Sequence, residues 1–182
     1  MISEEQLCAQ IHDFDEHILA EVYDRYSPEI FRYTMRLLGD SELAEECVAE
    51  TFHRFLLAIK RGGGPRQYLR AYLYRVAHNW VSDYYRNQNK SALPLDPDCC
   101  IDEHKQPPHV FAEESMRRDV RLALSKLTPD QRQVIVLRFL EDWEYPDISR
   151  ALGKPVGAVK ALQHRGLNAL RRHLLKEEAM LV

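Results

Sequence analysis

Segment 66–86 interleaves aromatic rings with arginines, a combination that suits contact with unpaired nucleic-acid bases. Rings offer faces on which bases stack, at roughly 1–3 kcal/mol per base, while guanidinium groups hold phosphates. Asn79 adds an amide that can read the hydrogen-bonding edge of a flipped-out base. Because a single tyrosine is more often a packing group, the prediction rests on the segment as a whole. The apolar spacing assigns a core face to Leu69, Leu73, Val76, Ala77 and Trp80.

Segment 145–165 has the layout of a helix-turn-helix. A short helix would bury Ile148 and Leu152 and end at Gly153 in the left-handed conformation, and Pro155 would open a longer helix. The second helix of such a motif enters the major groove, where its first residues reach base edges. A helical bundle with a merely solvated basic face is the alternative interpretation.

The distribution of charge supports two separate contacts with a polyanion. The net charge is −3, but segment 61–95 carries six basic residues and one acidic residue, and segment 148–176 carries seven basic residues and no acidic one. Basic faces of this kind favour nucleic acid, although a charge pattern alone is weak evidence.

Composition narrows the classes of protein that fit. With 45% apolar and 29% charged residues in 182, the chain is globular, with room for one ordinary domain or two small ones. It has no apolar stretch of membrane-spanning length and no signal-peptide pattern at its start, so we expect a cytoplasmic protein without membrane insertion. No catalytic or cofactor-binding motif occurs, which predicts a non-enzymatic protein with no cofactor, no metal and no catalytic residue.

The apolar periodicity predicts an all-α fold of two small helical domains joined by a flexible linker. Helices are expected over 16–38, from Ser41 to the Gly62–Gly64 break, and from about Arg66 to Asn89, with further helices after Ala112. The predicted domains are 1–90 and 112–182. The linker, 91–111, is rich in proline and acidic residues. It holds Cys99, Cys100, His104 and His109, which we interpret as incidental, with zinc binding or redox sensing as the alternative. Cys8 and Cys47 lie on apolar stripes and are expected to be packing groups.

The two blocks, in this order, resemble bacterial RNA polymerase sigma factors of the extracytoplasmic-function group. The first block is similar to region 2 of that family, through GDSELAEE at 39–46 and YLYRVAHN at 72–79. The second is similar to region 4, through QRQVIVLRF at 131–139 and GAVK at 157–160. Gln163 stands where the family is expected to bury an apolar residue.

The resemblance implies a role for each surface. The basic aromatic helix would melt and hold the −10 element, through Arg66, Arg70, Tyr72, Arg75, Asn79, Tyr84, Tyr85 and Arg86. The helix-turn-helix would read the −35 element through Lys160, His164 and Arg165. Core polymerase would be bound at its largest-subunit coiled-coil, through Glu45, Glu46, Glu50 and Phe52, and region 4 would pack on its flap. Polymerase core, promoter DNA and an anti-sigma factor are the implied partners.

Two other functions fit parts of the pattern. A conventional helix-turn-helix regulator would bind duplex DNA without polymerase, but its sensor domain would have no use for the basic aromatic helix. A helical adaptor without a nucleic-acid role would not need the acid-free final helix. An enzyme is the most distant alternative.

Overall fold

The computed structural model of the chain describes residues 2–91, 120 and 122–180. The N-terminal unit consists of α1 (Glu4–Gln10), a 3-10 turn (Ile11–Asp13), α2 (Glu16–Leu38), α3 (Ser41–Lys60) and α4 (Leu69–Ser91). The C-terminal unit has a helical stretch at 122–125, then α5 (Pro129–Phe139), α6 (Tyr145–Leu152) and α7 (Val156–Met180). Over these described ranges the chain forms no strand, which confirms the all-α prediction.

Local hydrogen bonds and left-handed residues set the helix boundaries. Thr128 caps α5, and its side chain and that of Gln131 satisfy each other's backbone N–H groups. Asp40 caps α3 by accepting from the backbone N–H of Leu43 at 3.0 Å. Gly39 and Gly153 end α2 and α6 with φ angles of 73° and 63°, a conformation that glycine adopts without a steric penalty. The predicted helix end at residue 38 and the stop predicted at Gly153 are confirmed.

The predicted start of α4 near Arg66 is wrong by three residues. Tyr68 has a φ angle of 56°, which no α-helical residue can have, so the helix begins at Leu69. Arg66 therefore lies in the exposed connection that follows the glycine-rich break, not on the helix.

The two units pack against each other. Trp143, just before α6, is 3% exposed, and its ring centroid lies 4.6 Å from that of Tyr74 on α4. Gln133 of α5 is 1% exposed and donates from Nε2 to the hydroxyl oxygen of Tyr33 on α2 at 2.7 Å. The apolar core consequently continues from one unit into the other. Of the predicted linker, 91–111, only Ser91 is among the described residues, so Cys99, Cys100, His104 and His109 lie outside them.

Cys8 and Cys47 are buried, as predicted for packing groups. Burial raises the pKa of the Cys47 thiol to about 12 and also raises that of Cys8, so both thiols stay protonated at neutral pH. Within the described part of the chain, no helix has the length and apolar character needed to cross a membrane.

Candidate nucleic-acid interface

Several of the predicted single-strand contacts lie on the accessible side of the N-terminal unit. Arg66, Asn79 and Arg86 are exposed, and Arg86 pairs with Asp83 at 2.7 Å in a contact that water largely screens. Tyr84 is half-buried and stacks on Trp80, with ring centroids 5.7 Å apart and planes 5° apart. Tyr84 also contacts Tyr85 edge to face, with ring centroids 5.7 Å apart.

Tyr72 lies at the edge of the core. Its ring centroid is 6.3 Å from that of Phe55 on α3, and the side chain is half-buried. Burial raises the pKa of its hydroxyl, so the group stays neutral and acts as a hydrogen-bonding ring. Tyr72 therefore contributes both to packing and to the accessible surface.

Arg75 contacts the C-terminal unit. Its Nε donates to the backbone oxygen of Ala151 at 3.1 Å, and Nη2 donates to that of Arg150. Both oxygens belong to the last turn of α6, where carbonyl groups lack helical partners and the helix dipole favours a cation. Arg75 is thus a side-chain cap of α6, supplied by α4.

Arg70 and Tyr85 also contact the C-terminal unit. The guanidinium of Arg70 lies 4.6 Å from the ring centroid of Trp143, and its Nε donates to Glu29 at 2.8 Å. The guanidinium of Arg132, on α5, lies 4.5 Å from the ring centroid of Tyr85. Three of the eight predicted residues are therefore engaged by the other unit.

The helix-turn-helix forms as predicted. Ile148 and Val159 are fully buried where α6 packs on α7. Lys160, His164 and Arg165 are exposed along the first half of α7. Gln163 is half-buried and accepts a hydrogen bond from the hydroxyl of Tyr145 at 2.7 Å. The polar side chain at this position is satisfied, because Tyr145 occupies the adjoining place on α6.

Comparison with known families assigns both units. The family model for Sigma-70 region 2 matches residues 22–91, and the model for Sigma-70 region 4 matches residues 117–170. Together they cover most of the chain, in the order that the sequence motifs predicted. The chain belongs to the sigma-70 family, in its extracytoplasmic-function group.

Individual relatives agree with this assignment. The chain is 28% identical to the ECF RNA polymerase sigma factor SigX of Bacillus subtilis over 167 residues, which are 87% of this chain and 86% of the relative. Its fold resembles that of CnrH in complex with the cytosolic domain of CnrY, with a TM-score of 0.71, 21% identity and coverage of 94% and 96% of the two chains. It also resembles the sigma factor RpoE of Bartonella quintana in complex with the anti-sigma factor NepR, with a TM-score of 0.56, 20% identity and coverage of 89% and 96%.

Tyr23, Glu45 and Glu46 lie on a surface of region 2 formed by α2 and α3, while Tyr33 and Arg36, also on α2, take part in the interdomain contact. Glu45 and Glu46 are exposed, while Glu50 accepts from Arg54 at 2.6 Å, an interaction that lowers the pKa of its carboxyl group. Phe52 is 6% exposed and packs beneath the exposed ring of Tyr23, with centroids 4.8 Å apart. An open groove of about 470 Å³ adjoins this surface. It is lined by Tyr23, Ser27, Pro28, Phe31, Arg32, Glu45, Val48 and Ala49.

Sequence reasoning missed the residues that join region 4 to region 2. Glu141, whose side chain is 6% exposed, accepts from Arg36 and adjoins Tyr74. Trp143 and Gln133 complete this set. The available signal was Trp143, a lone tryptophan in a polar loop beside an acidic residue. Apolar periodicity within one segment, however, cannot identify a contact between two units. Within the described residues no cluster of histidine, cysteine, aspartate or glutamate could hold a metal ion.

Proposed function

We propose that this chain acts as an alternative sigma factor: it binds RNA polymerase core and directs promoter-specific initiation. The observation that carries the proposal is the order of the two family regions on two distinct DNA-compatible surfaces. Region 2 bears an arginine- and tyrosine-rich helix, and region 4 bears a helix-turn-helix with a basic exposed face.

The proposed −10 contacts are those of α4 and the connection before it. Asn79 would hydrogen-bond a flipped base, and Tyr72, Tyr84 and Tyr85 would supply stacking faces. Phosphates of the unpaired strand would be held by the four arginines, Arg66, Arg70, Arg75 and Arg86. Capture of unpaired bases would favour the melted promoter, because it stabilises only the open strands.

The proposed −35 contacts belong to the first half of α7. Lys160, His164 and Arg165 share an exposed face that fits the major groove, where base edges are distinguishable. Core polymerase would contact Glu45, Glu46 and Glu50 on α3. Phe52 would support that surface from beneath, as its burial against Tyr23 suggests.

The remaining proposals concern organisation and partners. Region 2 would comprise 1–90 and region 4 would comprise 112–182, with 91–111 as the linker. The factor would work without catalysis in the cytoplasm, where polymerase and chromosome are. An anti-sigma factor is a further proposed partner, supported by the RpoE–NepR complex among the structural neighbours.

Run-off transcription with core polymerase and a promoter library tests the function. Initiation at a defined promoter subset, dependent on both core and this chain, is the expected result. The regulator that binds duplex DNA without polymerase is disfavoured by the region 2 match. Tight duplex binding without core, together with no initiation across the library, would overturn the proposal in favour of that regulator.

A further inference from the structure

The outermost stripe of α7 is defined by the side of the helix that packs inwards. Val159, Leu162 and Gly166 are buried against the rest of region 4. An α-helix turns by about 100° per residue, so the side opposite to these three carries Gly157, Ala161, His164 and Asn168. All four residues are exposed, and this stripe would face the floor of a major groove.

The first half of the stripe is nearly flat, and nothing inside the chain requires it to be. A Cβ atom added at Gly157 would make no contact within 4 Å, whereas one at Gly166 would lie 3.1 Å from Cγ1 of Ile135. Glycine in a helix also lowers stability relative to alanine. Ala161, one turn later, adds only a methyl group. Since glycine serves where a backbone approaches a ligand closely, this flat turn fits close contact with DNA.

The two basic residues of the proposed −35 contact lie on either side of the stripe and have partners within region 4. Nζ of Lys160 lies 5.1 Å from the ring centroid of Tyr145, and Nε of Arg165 donates to the backbone oxygen of Ala161 at 3.3 Å. These flanks would face the walls of the groove, where the phosphates lie. On the outer stripe itself, the first long side chain is that of His164.

His164 is paired with Asn168, one turn further along the stripe. Nδ2 of Asn168 lies 3.3 Å from Nδ1 and 3.5 Å from Nε2 of the His164 ring. An amide NH2 group only donates, so the ring nitrogen that accepts from it carries no proton, and the imidazole is neutral. The other ring nitrogen then carries the N–H group. Asn168 thereby makes His164 a neutral side chain with one hydrogen-bond donor.

We propose that His164 is the specificity-determining residue of the −35 contact, a neutral N–H donor that reads a guanine, and that Asn168 is its positioning residue. Guanine presents two neighbouring acceptors in the major groove, N7 and O6. Adenine places a donor beside N7, cytosine presents a donor, and thymine has one acceptor beside its methyl group. Lys160 and Arg165 supply phosphate contacts, which carry no sequence information. The inference rests on the proposed function, since it takes α7 as the helix that reads the −35 element.

The test uses holoenzyme assembled from core polymerase and the full-length chain. It starts from a promoter that the run-off library identifies, with the −35 element randomised and each sequence linked to a barcode in the transcript. Sequencing the transcripts gives the base preference at every position of the element. The variants are His164→Ala, Asn168→Ala and Asn168→Gln, whose longer amide can still donate to the ring. Leu167→Ala, at a neighbouring exposed position outside the stripe, is the control.

The unsubstituted chain should prefer guanine at one position of the −35 element by about tenfold. Replacing that base with 7-deazaguanine, which lacks N7, should remove most of the preference, and this measurement needs no variant. His164→Ala should abolish the preference at this position alone. Asn168→Ala should reduce it about threefold, Asn168→Gln should restore it, and Leu167→Ala should leave it unchanged. A merely structural role of Asn168 would instead lower transcription from every template alike.

Three results would overturn the inference: no guanine preference that depends on N7, a preference that survives His164→Ala, or one that Asn168→Ala leaves unchanged. In each of these cases the unsubstituted chain would still direct initiation, so the proposed function would stand. Failure of the proposed function would look different, because core polymerase with the unsubstituted chain would then transcribe no template of the library.

Discussion

The two proposed DNA surfaces, on α4 and on α7, differ in whether their side chains contact the other region of the chain. On α7 the basic residues Lys160, His164 and Arg165 are exposed, and Nζ of Lys160 lies 5.1 Å from the ring centroid of Tyr145. On α4, Arg70, Arg75 and Tyr85 have partners in region 4. A duplex-reading face can stay open because specific reading requires the right base edges. A face that binds unpaired strands by stacking accepts many sequences, so its specificity depends less on exact base edges.

The largest expected effect comes from removing the aromatic anchor of the covered surface. Trp143→Ala should lower the free energy of unfolding by about 3–5 kcal/mol, because it leaves a cavity among Tyr74, Arg70 and the region 4 core. Thermal or urea denaturation measures the change. Phe139→Ala, at a position that is 49% exposed, is the control and should change stability by less than about 0.5 kcal/mol. If the two substitutions change the free energy of unfolding equally, Trp143 does not contribute to a packed core between the two regions.

The second prediction separates the roles of the two surfaces. Asn79→Ala should impair open-complex formation, and Lys160→Ala should weaken duplex binding at −35, each by about 1–3 kcal/mol. Both side chains are exposed, so neither change should affect folding. Permanganate footprinting of the melted region and duplex anisotropy measure the two steps. Equal loss of both activities in each variant would contradict the division of roles.

The third prediction concerns pH and the covered surface. Burial lowers the pKa of His78 to about 4, with Lys154 acting in the same direction and Asp130 and Asp83 opposing it. If separation of the two regions exposes His78, its pKa returns towards 6.5, so the separated chain binds a proton that the packed chain does not. Packing of the two regions is then favoured above about pH 6.5 and weakened as pH falls, by about tenfold in the ratio of packed to separated chains at about pH 5.5.

Scattering as a function of pH checks this shift. His78→Gln should flatten the dependence, while His164→Gln, on the open surface, should leave it in place. Because burial raises the pKa of Glu141, its protonation favours packing of the two regions and opposes the His78 effect at the acidic end of the range. A radius of gyration that stays constant from about pH 7 to about pH 5 would show that His78 does not make the interdomain contact depend on pH.

The smallest expected effect concerns the hydrogen bond between Tyr145 and Gln163, which lies beside the proposed duplex-binding face of α7. Tyr145→Phe removes the hydrogen bond to Gln163 and should reduce stability by about 1 kcal/mol, with a similarly small loss of duplex affinity. Tyr145→Phe/Gln163→Leu should recover part of that loss, because it replaces both polar partners with apolar groups. If Tyr145→Phe alone is as stable as the unsubstituted chain, Gln163 needs no hydrogen-bond partner at this position.

Local chemistry explains which predictions from the sequence are confirmed. The left-handed glycines at 39 and 153 and the capping box of Thr128 act within one turn of the chain, so their neighbours in sequence are sufficient to identify them. The helix-turn-helix and the ring-and-arginine helix are likewise properties of single segments. The start of α4 was misplaced because the positive φ of Tyr68, a residue that favours negative φ, has no signature in residue type.

The sequence by itself determined the helices, the two family regions and the residue types on each DNA surface, since apolar period and cap chemistry are written in neighbouring residues. Only the tertiary structure decided which of those residues contact the other region of the chain. Tyr74 is fully buried because Trp143 packs on it, and Arg75 caps a helix that begins about 70 residues further along the chain. Such contacts depend on the shapes and charges of two distant surfaces, and no periodicity within either segment encodes them.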